Sequence, residues 1–214
     1  MNKYEGIILG VILGDGCLSI CNSKDGKDYL ITVSGHLHDD RKFLLDIIKP
    51  LFFKLFRKNT RVREQPKEGK IDLVIQSKDL LFFMNREWNL PIGKSRNKKI
   101  SDKFLSNNEL MKKIISGFFA TDGSLVITNN NGIIYPRIEF QNVSEQMLRQ
   151  VQKFLSNVSL NGGGLYKMVR ENNRVVHRLQ YNGKENLLKF RNVIGFINPK
   201  HEEKYLKYRL ETPG

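Results

Sequence analysis

The chain has 214 residues and carries 36 Lys+Arg against 22 Asp+Glu, a formal net charge of +14. At 40% hydrophobic and 27% charged residues the composition is that of a folded chain, and two cysteines supply no disulfide framework. No apolar run approaches the ~20 residues that cross a bilayer, so no membrane partner is expected, and the excess charge points to a polyanion, nucleic acid first.

In chain order, the first feature is an apolar helical run closing on an acid and a glycine, Ile8-Leu9-Gly10-Val11-Ile12-Leu13-Gly14-Asp15-Gly16. It has no small-residue cleavage site, so it does not read as a signal peptide. Alternating runs at 17–23 and 29–34 read as strands joined by the turn Asn22-Ser23-Lys24-Asp25-Gly26. Phe43, Leu44, Ile47, Ile48, Leu51 and Leu55 keep helical spacing after Asp39, a predicted cap, and Pro50 predicts a kink. Strands at 60–65 and 70–77 and a helix at 79–88 follow. Residues 91–106 form a basic linker, with Lys94, Arg96, Lys98, Lys99 and Lys103 against Asp102.

The order then repeats. Ile115-Ser116-Gly117-Phe118-Phe119-Ala120-Thr121-Asp122-Gly123 falls in register with the opening run, so Asp15 and Asp122 lie 107 positions apart. Strands are predicted at 124–128 and 133–142, and a helix capped by Ser144 carries Met147, Leu148, Val151, Phe154 and Leu155 on one face. Strands at 165–170 and 175–181 and a helix at 184–193 complete the copy. The expected fold class is α+β, with two pseudo-symmetric αββαββα repeats at 1–90 and 107–214. Residues 1–106 and 107–214 each carry a net +7, so the charge is no basic tail. Four strands with helices on one side leave one sheet face open to solvent or to a ligand.

Gly10 and Gly14 are four apart, as are Gly117 and Thr121. Small residues at that spacing let two helices approach closely, which offsets the ~1 kcal/mol that a helical glycine costs. Side by side, the two helices would bring Asp15 and Asp122 together at negative helix ends. Two carboxylates ~5 Å apart repel by roughly 3 kcal/mol at an effective dielectric of about 20. A divalent cation explains such a pair, with the carbonyls of Gly14 and Thr121 as further hard-oxygen ligands.

These two runs resemble the paired LAGLIDADG motifs of single-chain homing endonucleases. Gly10, Asp15, Gly16 and Gly117, Asp122, Gly123 match the motif. Leu13 and Ala120 replace its first aspartate, and Gly14 and Thr121 replace its second alanine. The resemblance implies antiparallel sheets forming a DNA-binding saddle. It also implies a monomeric, intron-encoded, site-specific endonuclease using Mg²⁺, with Mn²⁺ as a possible replacement and Ca²⁺ as a non-catalytic substitute. Asp15 and Asp122 would be the metal-binding catalytic acids. Lys94 and Lys200, 106 positions apart, would be catalytic lysines beside them. His36, His38, Gln141 and Asn142 would be candidate water-organising groups at the end of each second strand.

Strand alternation assigns DNA-facing side chains to Ser19, Cys21, Ser23, Thr32, Ser34, Arg61, Arg63 and Gln65 in the first half. In the second half it assigns Arg137, Glu139, Gln141, Arg178 and Gln180. Arg suits guanine and Gln suits adenine. The strand lengths imply a target of about 15–20 base pairs. The resemblance implies double-stranded DNA as the partner. The alternative is an RNA maturase that binds its host intron RNA. With no targeting segment read, the expected location is a prokaryotic cytoplasm, or an organelle for an organelle-encoded gene. Cys17, Cys21, His36 and His38 do not suit zinc, because cysteines four apart on a strand stand ~13 Å apart. Trp88 reads as core.

Overall fold

A computed structural model describes residues 2–24 and 26–212, without the side chain of Asn130. Asp25, in the predicted first turn, lies outside the described residues. Helix α1 (Lys3–Asp15) starts at a reciprocal cap. Asn2 Oδ1 accepts from the N–H groups of Tyr4 and Glu5, and Glu5 Oε2 accepts from Asn2 N–H at 2.6 Å. It ends where Gly16 turns extended. The helix is buried on nearly all sides from Ile8 to Leu13, because its own sheet covers one flank and the second motif helix the other.

Strands β1 (Gly16–Ser23), β2 (Gly26–His36), β3 (Arg61–Gln65) and β4 (Lys70–Gln76) form an antiparallel sheet of order β1-β2-β4-β3. Strands β5 (Gly123–Asn130), β6 (Ile133–Asn142), β7 (Gly164–Val169) and β8 (Val175–Asn182) form a second sheet of order β5-β6-β8-β7. Gly16 opposes Val33 and Gly123 opposes Phe140, so the 107-residue offset of the motifs carries into the sheet register.

The predicted kink takes a specific form. Phe43–Ile48 widen into a turn in which Lys49 N–H reaches back to the Leu44 carbonyl, and helix α2 (Lys49–Phe56) continues with Pro50 in its first turn. Proline has no N–H to lose there. Asp39 does not cap this helix; its N–H bonds the His36 ring at 3.3 Å, and residues 37–40 form a turn. Helix α3 (Lys78–Trp88) is capped by Ser77 and buries Trp88 against Phe56 and Phe83. The linker holds a short helix, α4 (Asp102–Leu105), before the second motif helix α5 (Asn108–Asp122). Helix α6 (Glu145–Asn157) starts at Ser144 as expected, and α7 (Lys184–Val193) follows β8.

A further helix, α8 (Pro199–Glu211), was not anticipated. Its signal is present: Asn198 caps it, Pro199 occupies the first turn, and Tyr205 and Tyr208 are buried. Beside it Phe119, Phe140, Phe190 and Phe196 form one aromatic cluster, with ring centroids 4.7–6.0 Å apart.

Candidate catalytic centre and nucleic-acid interface

Helices α1 and α5 meet backbone to backbone. A Cβ built on Gly10 would collide with the Ile114 carbonyl and lie 2.7 Å from Phe118 N, and one on Gly117 would collide with the Ile7 carbonyl. One on Gly14 would strike the Thr121 hydroxyl. The small residues at four-residue spacing are therefore the seam of the molecule. The seam brings both motif C-termini to one open cavity of about 1220 Å³, lined by Gly14, Asp15, Thr121 and Asp122.

The electrostatics of this cavity are those of an acid pair that its neighbours compensate only in part. Desolvation at the packed helix ends, then the charge of Asp15, pushes the Asp122 carboxyl up to about 7. Asp15 keeps solvent access but is also raised, first by desolvation and then by Asp40; Lys200 and Lys98 pull the other way. The chain turns into strand at Gly16 and Gly123, so the carbonyls of Gly14 and Thr121 have no helical partner four residues on. Two carboxylates and two free carbonyls make an all-oxygen donor set, which fits a hard divalent cation. Among the described residues no cluster of three or more His, Cys, Asp or Glu could hold a metal, so the candidate donor set rests on the two carboxylates and backbone carbonyls, and Cys21 is exposed.

The structure redistributes the predicted supporting groups. Lys94 lines the cavity wall, but the ammonium at the end of α1 is that of Lys98, four residues on. Its Nζ donates to the carbonyls of Gly16 (2.7 Å), Ile12 (3.1 Å) and Leu13 (3.5 Å), where a cation complements the helix dipole. Burial lowers its affinity for the proton, and Asp122, Cys17 and Asp15 restore part of it. Lys200 Nζ donates to Asp40 Oδ1 at 2.7 Å, and its charge acts on Asp15. Asn198 Nδ2 joins the same oxygen to the Ala120 carbonyl of α5. Burial pushes the Asp40 carboxyl up, but Lys200, the His36 N–H and Asn198 together hold it below the ordinary range.

Of the four water-organising candidates, Asn142 donates to Asp122 Oδ2 from the end of β6, and Gln141 lines the cavity wall and accepts from Arg170 at 3.1 Å. His36 and His38 are corrections. Both are exposed and neither lines the cavity; His36 is paired with Asp39 at 3.2 Å. The register explains this. With Val33 aligned to Phe140, the residue matching Asn142 is Gly35, one position before His36. A Cβ at Gly35 would lie 2.8 Å from the Asp40 Cβ. The first half thus places Asp40 where the second places Asn142, and nothing in the local sequence announces that substitution.

Cross-strand pairing puts the predicted readers on the faces opposite the helices. In the first sheet Ser19, Cys21, Thr32, Ser34, Arg61, Arg63 and Gln65 share one face, with Ser23 at its tip. In the second, Arg137, Glu139, Gln141, Arg178 and Gln180 do the same. Each face contains one buried acid. Asp72 accepts from Ser34 (2.7 Å), Arg63 (2.8 Å) and Gln65 (3.0 Å), with Lys70 at 3.1 Å. Burial raises its carboxyl, but these donors carry it below the usual range. Strand parity at 70–76 could have revealed Asp72. Glu139 is corrected from reader to anchor: it is 4% exposed, sandwiched between Arg137 at 2.5 Å and Arg178 at 3.6 Å. Asp72 orients Arg63 through a charge-assisted hydrogen bond, whereas Glu139 meets Arg137 and Arg178 as ion pairs without hydrogen bonds.

Two small-residue helices that deliver an aspartate each to one cavity beneath two open four-stranded sheets define the LAGLIDADG homing endonuclease fold. Residues 109–195 match the family model described as a LAGLIDADG-like domain. The chain is similar to the crystal structure of I-DmoI in complex with DNA and Ca, with 18% identity, TM-score 0.66, and coverage of 96% of this chain and 97% of that one. It is also similar to the LAGLIDADG homing endonuclease I-GzeII in complex with its DNA target, with 12% identity, TM-score 0.62, and coverage of 99% and 91%. The LAGLIDADG meganuclease I-AabMI bound to uncleaved DNA gives 16% identity, TM-score 0.57, and coverage of 100% and 99%. No curated protein matches at the level of sequence. At these identities the likeness is one of fold, and it spans both halves.

Proposed function

We propose that the protein is a site-specific endonuclease of double-stranded DNA that acts as a monomer and hydrolyses one phosphodiester on each strand. The observation that carries this reading is the convergence of Asp15 and Asp122 on one cavity between two open sheet faces. The donor set suits Mg²⁺, with Mn²⁺ able to replace it and Ca²⁺ supporting binding alone. The cation, when bound, would activate water and neutralise charge on the departing 3′ oxygen. Asp15 and Asp122, with the carbonyls of Gly14 and Thr121, would hold it.

The remaining work falls to the chain's own groups. Asn142 fixes the orientation of the Asp122 carboxylate through its amide. Lys98 and Lys200 place positive charge where phosphate charge accumulates, and Lys94 contributes from the wall. Ser19, Cys21, Ser23, Thr32, Arg61, Arg63, Arg137, Arg178 and Gln180 meet base edges in the major groove of a target of about 15–20 base pairs. The reading extends to an intron-encoded protein that cuts the joined-exon insertion site, in a prokaryotic cytoplasm or an organelle.

The test incubates the protein with duplex carrying that site, with and without Mg²⁺, and repeats it with Asp15→Asn and Asp122→Asn. Metal-dependent cleavage that both variants lose while still binding supports the proposal. Unimpaired cutting by both removes the metal assignment. Tight binding to folded intron RNA with no cleavage of DNA replaces the reading with that of a maturase.

A further inference from the structure

The open face of the second sheet carries side chains that its polar readers do not explain. Tyr135 and Ile133 stand two and four residues before Arg137 on β6, so the strand's period of two puts all three on that face. Tyr135 is 49% exposed and Ile133 57%. Across from them on β5, Val126 pairs with Arg137 and Thr128 with Tyr135. The Thr128 hydroxyl donates to the Tyr135 carbonyl at 3.3 Å, which leaves its methyl group free to meet a partner. Val126, Thr128, Tyr135 and Ile133 thus form an apolar strip at the outer end of the sheet, away from the aspartates. The first sheet has no counterpart. The shared register carries these positions, 107 residues earlier, to Ser19, Cys21, Asp28 and Gly26. Asp28 there accepts from Gln76 at 2.7 Å.

Clustered apolar side chains exposed on one face mark a contact surface. The major groove that this sheet would enter narrows what they contact. Guanine, adenine and cytosine show it hydrogen-bond donors and acceptors, whereas thymine adds a C5-methyl group, the apolar feature of that surface. We propose that Ile133 and Tyr135, flanked by Val126 and Thr128, read thymine methyl groups at the outer end of one half-site, so that the target is asymmetric. This rests on the endonuclease reading and names part of its substrate. Tyr135 and Thr128 lie four residues, ~13 Å, beyond the row of Ser124 and Glu139. That places the thymines roughly four base pairs further out. A thymine that loses its methyl keeps every hydrogen-bonding group. A polar reader is indifferent to that loss, and an apolar one is not.

The experiment selects bound duplexes from a random library by gel shift, without Mg²⁺ so that no strand is cut. A consensus with neighbouring thymines at one outer flank is expected. Deoxyuridine then replaces those thymines and, separately, thymines elsewhere in the site. Each methyl removed at the flank should weaken binding about fourfold, the effect of one buried methyl group, with a smaller change elsewhere. Ile133→Asn combined with Tyr135→Asn should bind thymine and deoxyuridine flanks alike, and thermal melts should show that changing two exposed side chains leaves the fold intact. A consensus without flanking thymines overturns the proposal. So does a deoxyuridine flank that the parent binds equally well, or a penalty that the double variant keeps. The deoxyuridine arm alters only the DNA, so it decides the matter even for an unstable variant. Free protein that sediments as a dimer, and as a monomer once Ile133 and Tyr135 are changed, would assign the strip to a second copy of the chain. A library that yields no consensus removes the site-specific reading of both sheets, and this proposal with it. A consensus whose methyl groups are all silent removes this proposal alone.

Discussion

The two halves share a backbone plan but equip their aspartates differently. Asp122 receives an amide from Asn142 on its own sheet. Asp15 has a glycine at the matching register position, and its neighbours are Asp40 and Lys200, bound to each other at 2.7 Å. Asn198 and Lys200 come from the far end of the chain, so the first centre is completed only when α8 docks. A repeated sequence can thus keep the element that must be symmetric, the helix seam, while the groups around each acid diverge. Backbone contact at Gly10 and Gly117 tolerates no side chain, whereas a polar group near a carboxylate can arrive from any direction that geometry allows.

The largest effect should come from the seam's own acids. Asp15→Asn and Asp122→Asn should each lower cleavage by more than the about 10–100-fold that follows loss of a ligand's supporting group. Duplex binding should be kept, as a gel-shift titration would show. Cutting retained by one variant and lost by the other would mean that the halves are not equivalent even at the acids.

The comparison is sharpened by changing the supports one at a time. Asn142→Ala and Asp40→Ala should each slow cutting by roughly 10–100-fold, but on opposite strands. Strand-specific end-labelling reads this as accumulation of opposite nicked products. The same strand slowed by both would erase the proposed division of labour.

The seam can be broken structurally. Gly10→Ala and Gly117→Ala both drive a methyl into the facing helix backbone. Overpacking of this kind costs about 1–3 kcal/mol or more, which corresponds to a melting point lower by some 2–4 °C per kcal/mol in a chain of this size. The two variants should lose similar stability in calorimetry. An unaffected Gly10→Ala protein would contradict the backbone contact.

A smaller test uses pH on metal-free protein. Asp122 titrates near 7 in the fold against an ordinary value of 3.8, so the fold binds its proton better. Its stabilisation is present below about 4 and is lost as pH rises through about 7. His201, buried against Phe119, is pushed down to about 3, mainly by desolvation, so its contribution runs the other way: present above about 6.5 and lost as pH falls toward 3. Asp122→Asn should therefore be more stable than the parent at pH 8 and lose most of that advantage by pH 5, in paired thermal melts. Each tenfold difference in proton affinity between the folded and unfolded chain is worth at most about 1.4 kcal/mol. Mg²⁺ at pH 8 should restore the parent alone.

Much of this was legible in the chain. The 107-residue repeat, the two small-residue motifs and strand parity located both acids, the seam and the open sheet faces, because helix and strand periods are local properties of the backbone. Ser144 announced its helix by capping chemistry; Asn198 and Pro199 carry the same signal for α8, a helix the sequence reading missed. What escaped depended on distance through space. Lys98 rather than Lys94 reaches the carbonyls of α1 because the extended linker carries it over the helix end. His36 lost its place to Gly35 because a register error of one reverses a strand's faces. Asp40, Asn198 and Lys200 meet across about 160 residues of sequence, and Asp72 and Glu139 turned from surface charges into anchors once arginines closed over them. The sequence by itself determined the repeat, the acids and the helix contact, since each is written in periodic local order. The tertiary structure alone decided which polar groups surround each acid, since a hydrogen bond is specified by proximity in space and not by spacing along the chain.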